Sequence, residues 1–194
     1  MRLFDVMSPP EVLTEIQRAT AESGFGMASE PLTGTLLRTL AASKPAGRFL
    51  EIGTGTGIGT AWLLDGMDAA STLVTIDNAA APSAIAQRFL GHDSRVRFLV
   101  QDAEVWLKQQ GGDQFDLIFA DSFPGKFYAL DEALHMLKVG GLYVIDDLLP
   151  QSNWPEGHQT NVDRLITTLS NRDSLRLTKL AWASGIILAT KITQ

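Results

Sequence analysis

The chain has 194 residues, 45% of them hydrophobic, with 16 basic and 22 acidic side chains and a net charge of -6. That length buries one proper core, and an acidic balance without any Lys/Arg run argues against a basic nucleic-acid-binding face. The absence of cysteine rules out a disulfide framework, a thiolate nucleophile and a thiolate metal site. No run approaches the roughly 18 apolar residues that a membrane helix requires. Met1 to Val6 carry an early acid, Asp5, and no uninterrupted apolar stretch, so no signal peptide is read and a cytoplasmic protein is expected.

Ser8-Pro9-Pro10-Glu11 has the makings of a helix start: a capping hydroxyl, prolines in the first turn and an acid near the positive dipole end. Val12, Leu13, Ile16 and Ala19 follow at helical spacing, Ser23-Gly24-Phe25-Gly26 breaks the helix, and Glu30 to Ala42 form a second one. Next comes Phe49-Leu50-Glu51-Ile52-Gly53-Thr54-Gly55-Thr56-Gly57-Ile58-Gly59, an apolar strand entering four glycines at alternate positions. Such a turn allows positive φ and lets a ligand approach bare backbone at a helix N-terminus. Glu51 would repel a dinucleotide pyrophosphate and attract a ligand bearing a cationic amino-acid group.

Apolar runs then close at Ile52, Ile76, Val100, Ala120 and Ile145, spaced by 24, 24, 20 and 25 residues, with helical periodicity in the gaps. Units of this kind build a doubly wound parallel α/β sheet. After a helix near Asn161 to Ser170, Leu175 to Leu180 and Ile186 to Thr190 are separated by five residues. No crossover helix fits there, so the final pair is antiparallel. One domain over residues 1–194 is expected, with residues 1–45 as a helical cap and 46–194 as the sheet.

Ligands of open α/β sheets bind at the carboxyl ends of the strands, and here those ends carry Glu51, Asp77, Asp102, Asp121, Asp146 and Asp147. Asp is also common at helix caps and turns, which is the plainer account of any one of them. Asp77 is placed to accept hydrogen bonds from ribose hydroxyls. Asp102-Ala103 either addresses an adenine edge or caps the helix that follows.

These motifs, together with Phe115 to Asp121 and Leu137 to Asp147, resemble the class I S-adenosylmethionine-dependent methyltransferases, and within them the small catechol and caffeoyl-CoA type O-methyltransferases. The resemblance implies a Rossmann-like seven-stranded sheet of order 3-2-1-4-5-7-6 with strand 7 antiparallel and helices at the N-terminus. It places Glu51 and Gly53 at the methionine moiety, with Gly55 and Gly57 shaping the turn and Gly59 leading into the helix. Asp77 would hold the ribose, Asp102 and Ala103 the adenine, and the stretch around Met27 and Ala28 would fold over the cofactor. Asp121 stands at the first metal ligand, with Asp146 and Asp147 as the others, beside the cofactor's reacting end. The family carries Asp-Asn where this chain has Asp146-Asp147, and a lysine where Pro124 stands; Lys126 follows two residues later.

Carboxylate oxygens suit Mg²⁺ or Ca²⁺, although three of them exceed a divalent charge by one; the alternative is that Asp146 and Asp147 simply cap a turn. Lys126 is a base, a substrate-binding cation or an ordinary first-turn lysine. In the mixed loop from Leu148 to His158, Trp154 stacks on a planar acceptor or anchors the loop. His158 acts on the acceptor or begins a helix. The acceptor is a small molecule, neither nucleic acid nor membrane is a partner, and a homodimer is allowed. The rivals are an NAD(P)-dependent oxidoreductase and a non-catalytic adenosyl-cofactor-binding protein. Against the oxidoreductase, Tyr128 and Tyr143 are followed four residues on by Glu132 and Asp147, so no Tyr-x-x-x-Lys pair exists.

Overall fold

Side-chain alternation along the strands divides the core into two halves, one on each face of a single sheet. The computed structural model describes residues 8–152 and 154–193. The segment on which the absence of a signal peptide was read, Met1 to Val6, lies outside the described residues. The strands are β1 (Arg48–Ile52), β2 (Thr72–Asp77), β3 (Val96–Val100), β4 (Phe115–Ala120), β5 (Leu137–Ile145), β6 (Leu175–Leu180) and β7 (Ile186–Lys191). Their order is β3-β2-β1-β4-β5-β7-β6; β7 runs antiparallel to both of its neighbours, and the other pairings are parallel. The architecture and the antiparallel final strand are as the sequence implied.

Seven helices flank the sheet among the described residues: α1 (Leu13–Ser23), α2 (Pro31–Ala42), α3 (Ile58–Gly66), α4 (Ala80–Leu90), α5 (Ala103–Leu107), α6 (Leu130–Met136) and α7 (His158–Ser170). None of them is long and apolar enough to cross a membrane. Phe49, Leu73, Leu117, Phe119 and Val144 point to one face and pack on Leu13, Ile16, Leu37, Trp62 and Leu90 of α1 to α4. Leu50, Ile52, Ile76, Ile118, Tyr143 and Ile145 point to the other and meet Leu107, Leu134, Val162 and Leu165 of α5 to α7. The N-terminal helices are thus half of a core rather than a lid set apart from it.

The first helix begins later than expected. Its N-cap is Val12, without a side-chain cap, and Leu13 N–H bonds back to Pro10 O at 2.9 Å. Ser8 and the prolines precede it, and the turn from Pro10 to Leu13 leads into the helix. Its end is as read: Gly24 takes a left-handed φ of 72° and closes the helix onto Ala21 O.

α2 and α3 pack closely because both offer glycine at the contact. A Cβ on Gly34 would fall 2.2 Å from the Trp62 ring, and one on Gly66 would fall 2.1 Å from the Arg38 carbonyl. Gly34→Ala therefore drives an atom into a fully buried indole and should cost about 1–3 kcal/mol. Gly111→Ala, whose Cβ would meet only Gln114 Nε2 at 3.8 Å, should be close to neutral. Urea unfolding of both variants checks this, and equal stability would refute the packing argument.

Candidate active site

The carboxyl ends of β1, β2, β4 and β5 surround a cavity of about 490 Å³. Its floor is the glycine turn. Gly53 N–H continues the ladder to Ile76 O at 2.9 Å, and Gly53 itself has φ 108°. A Cβ there would come within 2.7 Å of the Asp121 carbonyl, so only glycine lets the turn lie against the end of β4. At Gly55 the N–H donates to Asp77 Oδ2 at 2.8 Å, while Ala79 N–H donates to Asp77 Oδ1 at 2.8 Å. Two backbone donors thus hold the Asp77 carboxylate at the cavity wall with lone pairs left over for hydroxyl donors.

The segment between α1 and α2 covers the cavity, with Phe25 to Glu30 in its wall. It and the last turn of α1 are tied down at three places. Thr20 Oγ1 donates to Thr56 Oγ1 at 2.8 Å, the Phe25 ring lies over Gly55, and Ser29 Oγ donates to Asp121 Oδ2 at 2.8 Å. Met27, expected at the cofactor, lines the cavity and is 75% exposed.

Gly53, Gly55, Gly59, Asp77, Asp121, Lys126, Asp147 and His158 also line this cavity. Glu51, Gly57, Asp102, Ala103 and Asp146 are not among its lining residues. Gly57 is a packing position, where a Cβ would meet Ala86 at 2.8 Å. Asp102 caps α5, accepting Val105 N–H at 3.0 Å, and Ala103 is buried behind it. Asn78 and Phe123, not singled out from sequence, line the wall beside Asp77 and Asp121.

Glu51 points to the α3 face of the sheet, among apolar side chains, and is 1% exposed. Its Oε2 accepts Thr75 Oγ1 at 2.6 Å and the Thr60 hydroxyl, while Oε1 has no partner among the described residues. Burial pushes its pKa up to about 7, against the two threonine hydrogen bonds, with the Asp77 charge adding to the rise. The carboxylate expected to attract a cationic ligand is therefore part-protonated near neutrality and sits behind the turn.

Asp121, Asp146 and Asp147 bring one oxygen each to within 4.8 Å of one another. Burial holds Asp121 well above the usual carboxylate range; the Lys126 ammonium opposes this, and Asp146 and Asp147 reinforce it. Asp146 is raised too, first by burial. Asp147 adopts φ 61°, a left-handed turn that folds its carboxylate back toward the other two. Lys126, 5% exposed, donates from Nζ to the Asp146 carbonyl at 2.9 Å and stands 3.9 Å from Asp121 Oδ1. Three carboxylates with one ammonium leave two negative charges, the amount one divalent ion offsets, and the donors are all oxygens. The set fits Mg²⁺ or Ca²⁺.

Beyond this cluster, His158 begins α7 and packs between aromatic rings, with centroids 4.4 Å from Trp154, 5.2 Å from Phe127 and 5.7 Å from Phe123. Burial, and then Lys126, lower its pKa below the usual 6.5. The imidazole is consequently neutral at pH 7. Ser184, from the turn between β6 and β7, also lines the cavity, and its hydroxyl donates to Asp146 Oδ1. Nothing in its local sequence marks it, because only the inserted hairpin brings it there.

A glycine-floored cleft at the carboxyl edge of a sheet of this order is the setting in which open α/β proteins bind nucleotide cofactors. The family described as "Methyltransferase domain" matches residues 50–148, and the chain belongs to it. That membership sets aside the oxidoreductase alternative. A Mycobacterium ulcerans protein named as a presumptive O-methyltransferase is 31% identical over 146 residues, covering 72% of this chain and 64% of that protein. A Mycolicibacterium vanbaalenii protein of the same name is 28% identical over 144 residues, again 72% of this chain. The chain spans about 63% of the length of that relative. Among solved structures, the O-methyltransferase TomG from Streptomyces achromogenes, in complex with SAM, is 25% identical with a TM-score of 0.79; the match covers 94% of this chain and 90% of that one. Cofactor-bound Rv0187 from MTB shares the fold, at 21% identity and a TM-score of 0.85, over 98% of this chain and 94% of that one.

The ionisation of Glu51 is separately measurable. Between its ordinary 4.5 and about 7, the folded protein keeps a proton that the unfolded chain has released. Stability therefore falls as pH rises through that window and levels off above it, by roughly 3 kcal/mol for this one group. Glu51→Gln removes the contribution. Urea unfolding near pH 5 and near pH 8 should show the wild type losing more stability than the variant over that interval. Equal losses would refute the assignment.

Proposed function

We propose that this protein transfers the methyl group of S-adenosylmethionine to an oxygen of a small planar acceptor, assisted by a divalent cation. One observation carries the proposal: the cavity floored by Gly53 and Gly55 is also lined by Asp121 and Asp147 of the carboxylate cluster, so the glycine turn and the cluster share one space.

When bound, S-adenosylmethionine supplies a methyl carbon activated by positive sulfur, and Mg²⁺ or Ca²⁺ supplies a charge that lowers the acceptor hydroxyl pKa. Asp121, Asp146 and Asp147 would hold the ion. Asp77 binds the ribose, and Gly53, Gly55 and Gly59 present bare backbone to the methionine part. The cover segment from Phe25 to Glu30, with exposed Met27, excludes water from above. Such alignment of reactants provides much of the rate in a displacement at carbon. Trp154, Phe123 and the neutral His158 form an aromatic wall suited to a flat acceptor. Lys126 faces the place where the acceptor oxygen loses its proton to water, its ammonium stabilising the resulting anion. We further propose that the enzyme is cytoplasmic and that residues 1–194 act as one domain.

S-adenosylhomocysteine should bind in the micromolar range by calorimetry. Asp77→Ala should weaken it by on the order of 1–3 kcal/mol through lost ribose hydrogen bonds. Binding of NADH with no response to S-adenosylhomocysteine would overturn the cofactor assignment.

Chelation tests the cation. With labelled S-adenosylmethionine and a panel of hydroxylated aromatics, EDTA should abolish methyl transfer and leave S-adenosylhomocysteine affinity within about twofold, since the ion addresses the acceptor half. Undiminished turnover in EDTA would remove the cation from the mechanism and leave Lys126 or His158 to activate the acceptor alone.

A further inference from the structure

Asp146 is 1% exposed and does not line the cavity, yet the hydroxyl bonded to it does. That hydroxyl belongs to Ser184, itself 6% exposed, in the turn that joins β6 to β7. It donates to Asp146 Oδ1, and the Asp147 N–H donates to the same oxygen at 2.9 Å. These two donors engage Oδ1, and Asp146 also offers one oxygen to the group it forms with Asp121 and Asp147. Asp121 is treated in the same way at the far side, where Ser29 takes Oδ2 and leaves Oδ1 facing Lys126.

The backbone around Ser184 is shaped to bring it there. Its carbonyl accepts from Leu148 N–H at 3.0 Å and from Leu149 N–H at 2.8 Å, clamping the exit of β5. Ala183 and Gly185 on either side have φ of 51° and 89°, and Asp147 opposite has φ 61°. A left-handed conformation at a non-glycine residue costs on the order of 1 kcal/mol, which the hydrogen bonds of the Ser184 carbonyl help to offset here. Across the turn, the Trp182 indole donates to Leu32 O of α2 at 3.0 Å, which ties the hairpin to the opposite layer.

We infer that Ser184 is a positioning residue for the carboxylate cluster: its hydroxyl sets the rotation of Asp146 so that one oxygen stays turned to the cation. A carboxylate torsion is otherwise broad, and a rotated Asp146 would cost the site a ligand. Serine suits the task because it satisfies a buried carboxylate without adding the positive charge that would compete with the ion. The inference rests on the cation-assisted reading above and concerns a residue outside the ligand set.

The test is Mn²⁺ affinity, followed by electron paramagnetic resonance of the free ion at saturating S-adenosylhomocysteine, with calorimetry of that ligand in parallel. Ser184→Ala should weaken Mn²⁺ by about tenfold, in the range found when partners of metal ligands are removed, and leave S-adenosylhomocysteine affinity within about twofold. Ser184→Thr keeps the hydroxyl and should stay within about threefold of the wild type. If Ser184→Ala does not fold, Ser184→Cys keeps the volume with a weak donor and should show the same loss. Wild-type Mn²⁺ affinity in the folded Ala or Cys variant overturns the role of Ser184 alone. A wild-type protein that binds S-adenosylhomocysteine but no Mn²⁺ overturns the cation reading and this inference together.

Discussion

The contact between Gly53 and the Asp121 carbonyl is the constraint on which the site depends. β1 and β4 are adjacent parallel strands, with Ile52 opposite Ala120. One residue further on, the two chains separate into the glycine turn and the loop that bears Asp121. Because a Cβ at Gly53 would lie 2.7 Å from that carbonyl, the turn and the carboxylate loop are held at backbone contact. The spacing between the turn and the carboxylate loop is therefore a property of the sheet, whose hydrogen bonds are among the least adjustable features of a fold.

Burial and charge then work against each other at this edge. Glu51, Asp121 and Asp146 are all pushed above their ordinary pKa by desolvation, for which neutral donors compensate only in part. Thr60 and Thr75 serve Glu51, Ser29 serves Asp121 and Ser184 serves Asp146. Among the described residues, Lys126 is the cation pressed against the cluster.

The C-terminal hairpin explains the two-ended construction. By running antiparallel between β5 and β6, β7 turns its connection back toward the carboxyl edge of the sheet, and the turn arrives beside Asp146. A parallel last strand would have placed its preceding loop at the opposite edge. The cover segment reaches the same cluster from the N-terminal side through Ser29. Residues about 150 apart in sequence are thereby brought around one group of carboxylates, as with the Trp182 to Leu32 hydrogen bond beside them.

Much of this was legible in the residues themselves. Short apolar runs located the carboxyl end of each of the five parallel strands within a residue, and the five-residue gap after Leu180 dictated an antiparallel ending, because chain reach is a local property. The glycine turn and Asp77 could be read because each sits at the end of an apolar run, whereas the grouping of Asp121, Asp146 and Asp147 is what the family resemblance implied. The direction in which a side chain finally points could not be read. Glu51 occupies the expected position yet faces the α3 layer, a choice made by alternation within the sheet, while Asp102 takes the helix-capping role that was one of its two readings. Ser29 and Ser184 carry no signal at all, since a hydroxyl becomes meaningful only through the carboxylate it meets. The sequence by itself determined the order of elements and the kinds of group along the sheet edge. Only the tertiary structure decided which of those groups share a centre, because that depends on contacts between segments far apart in the chain.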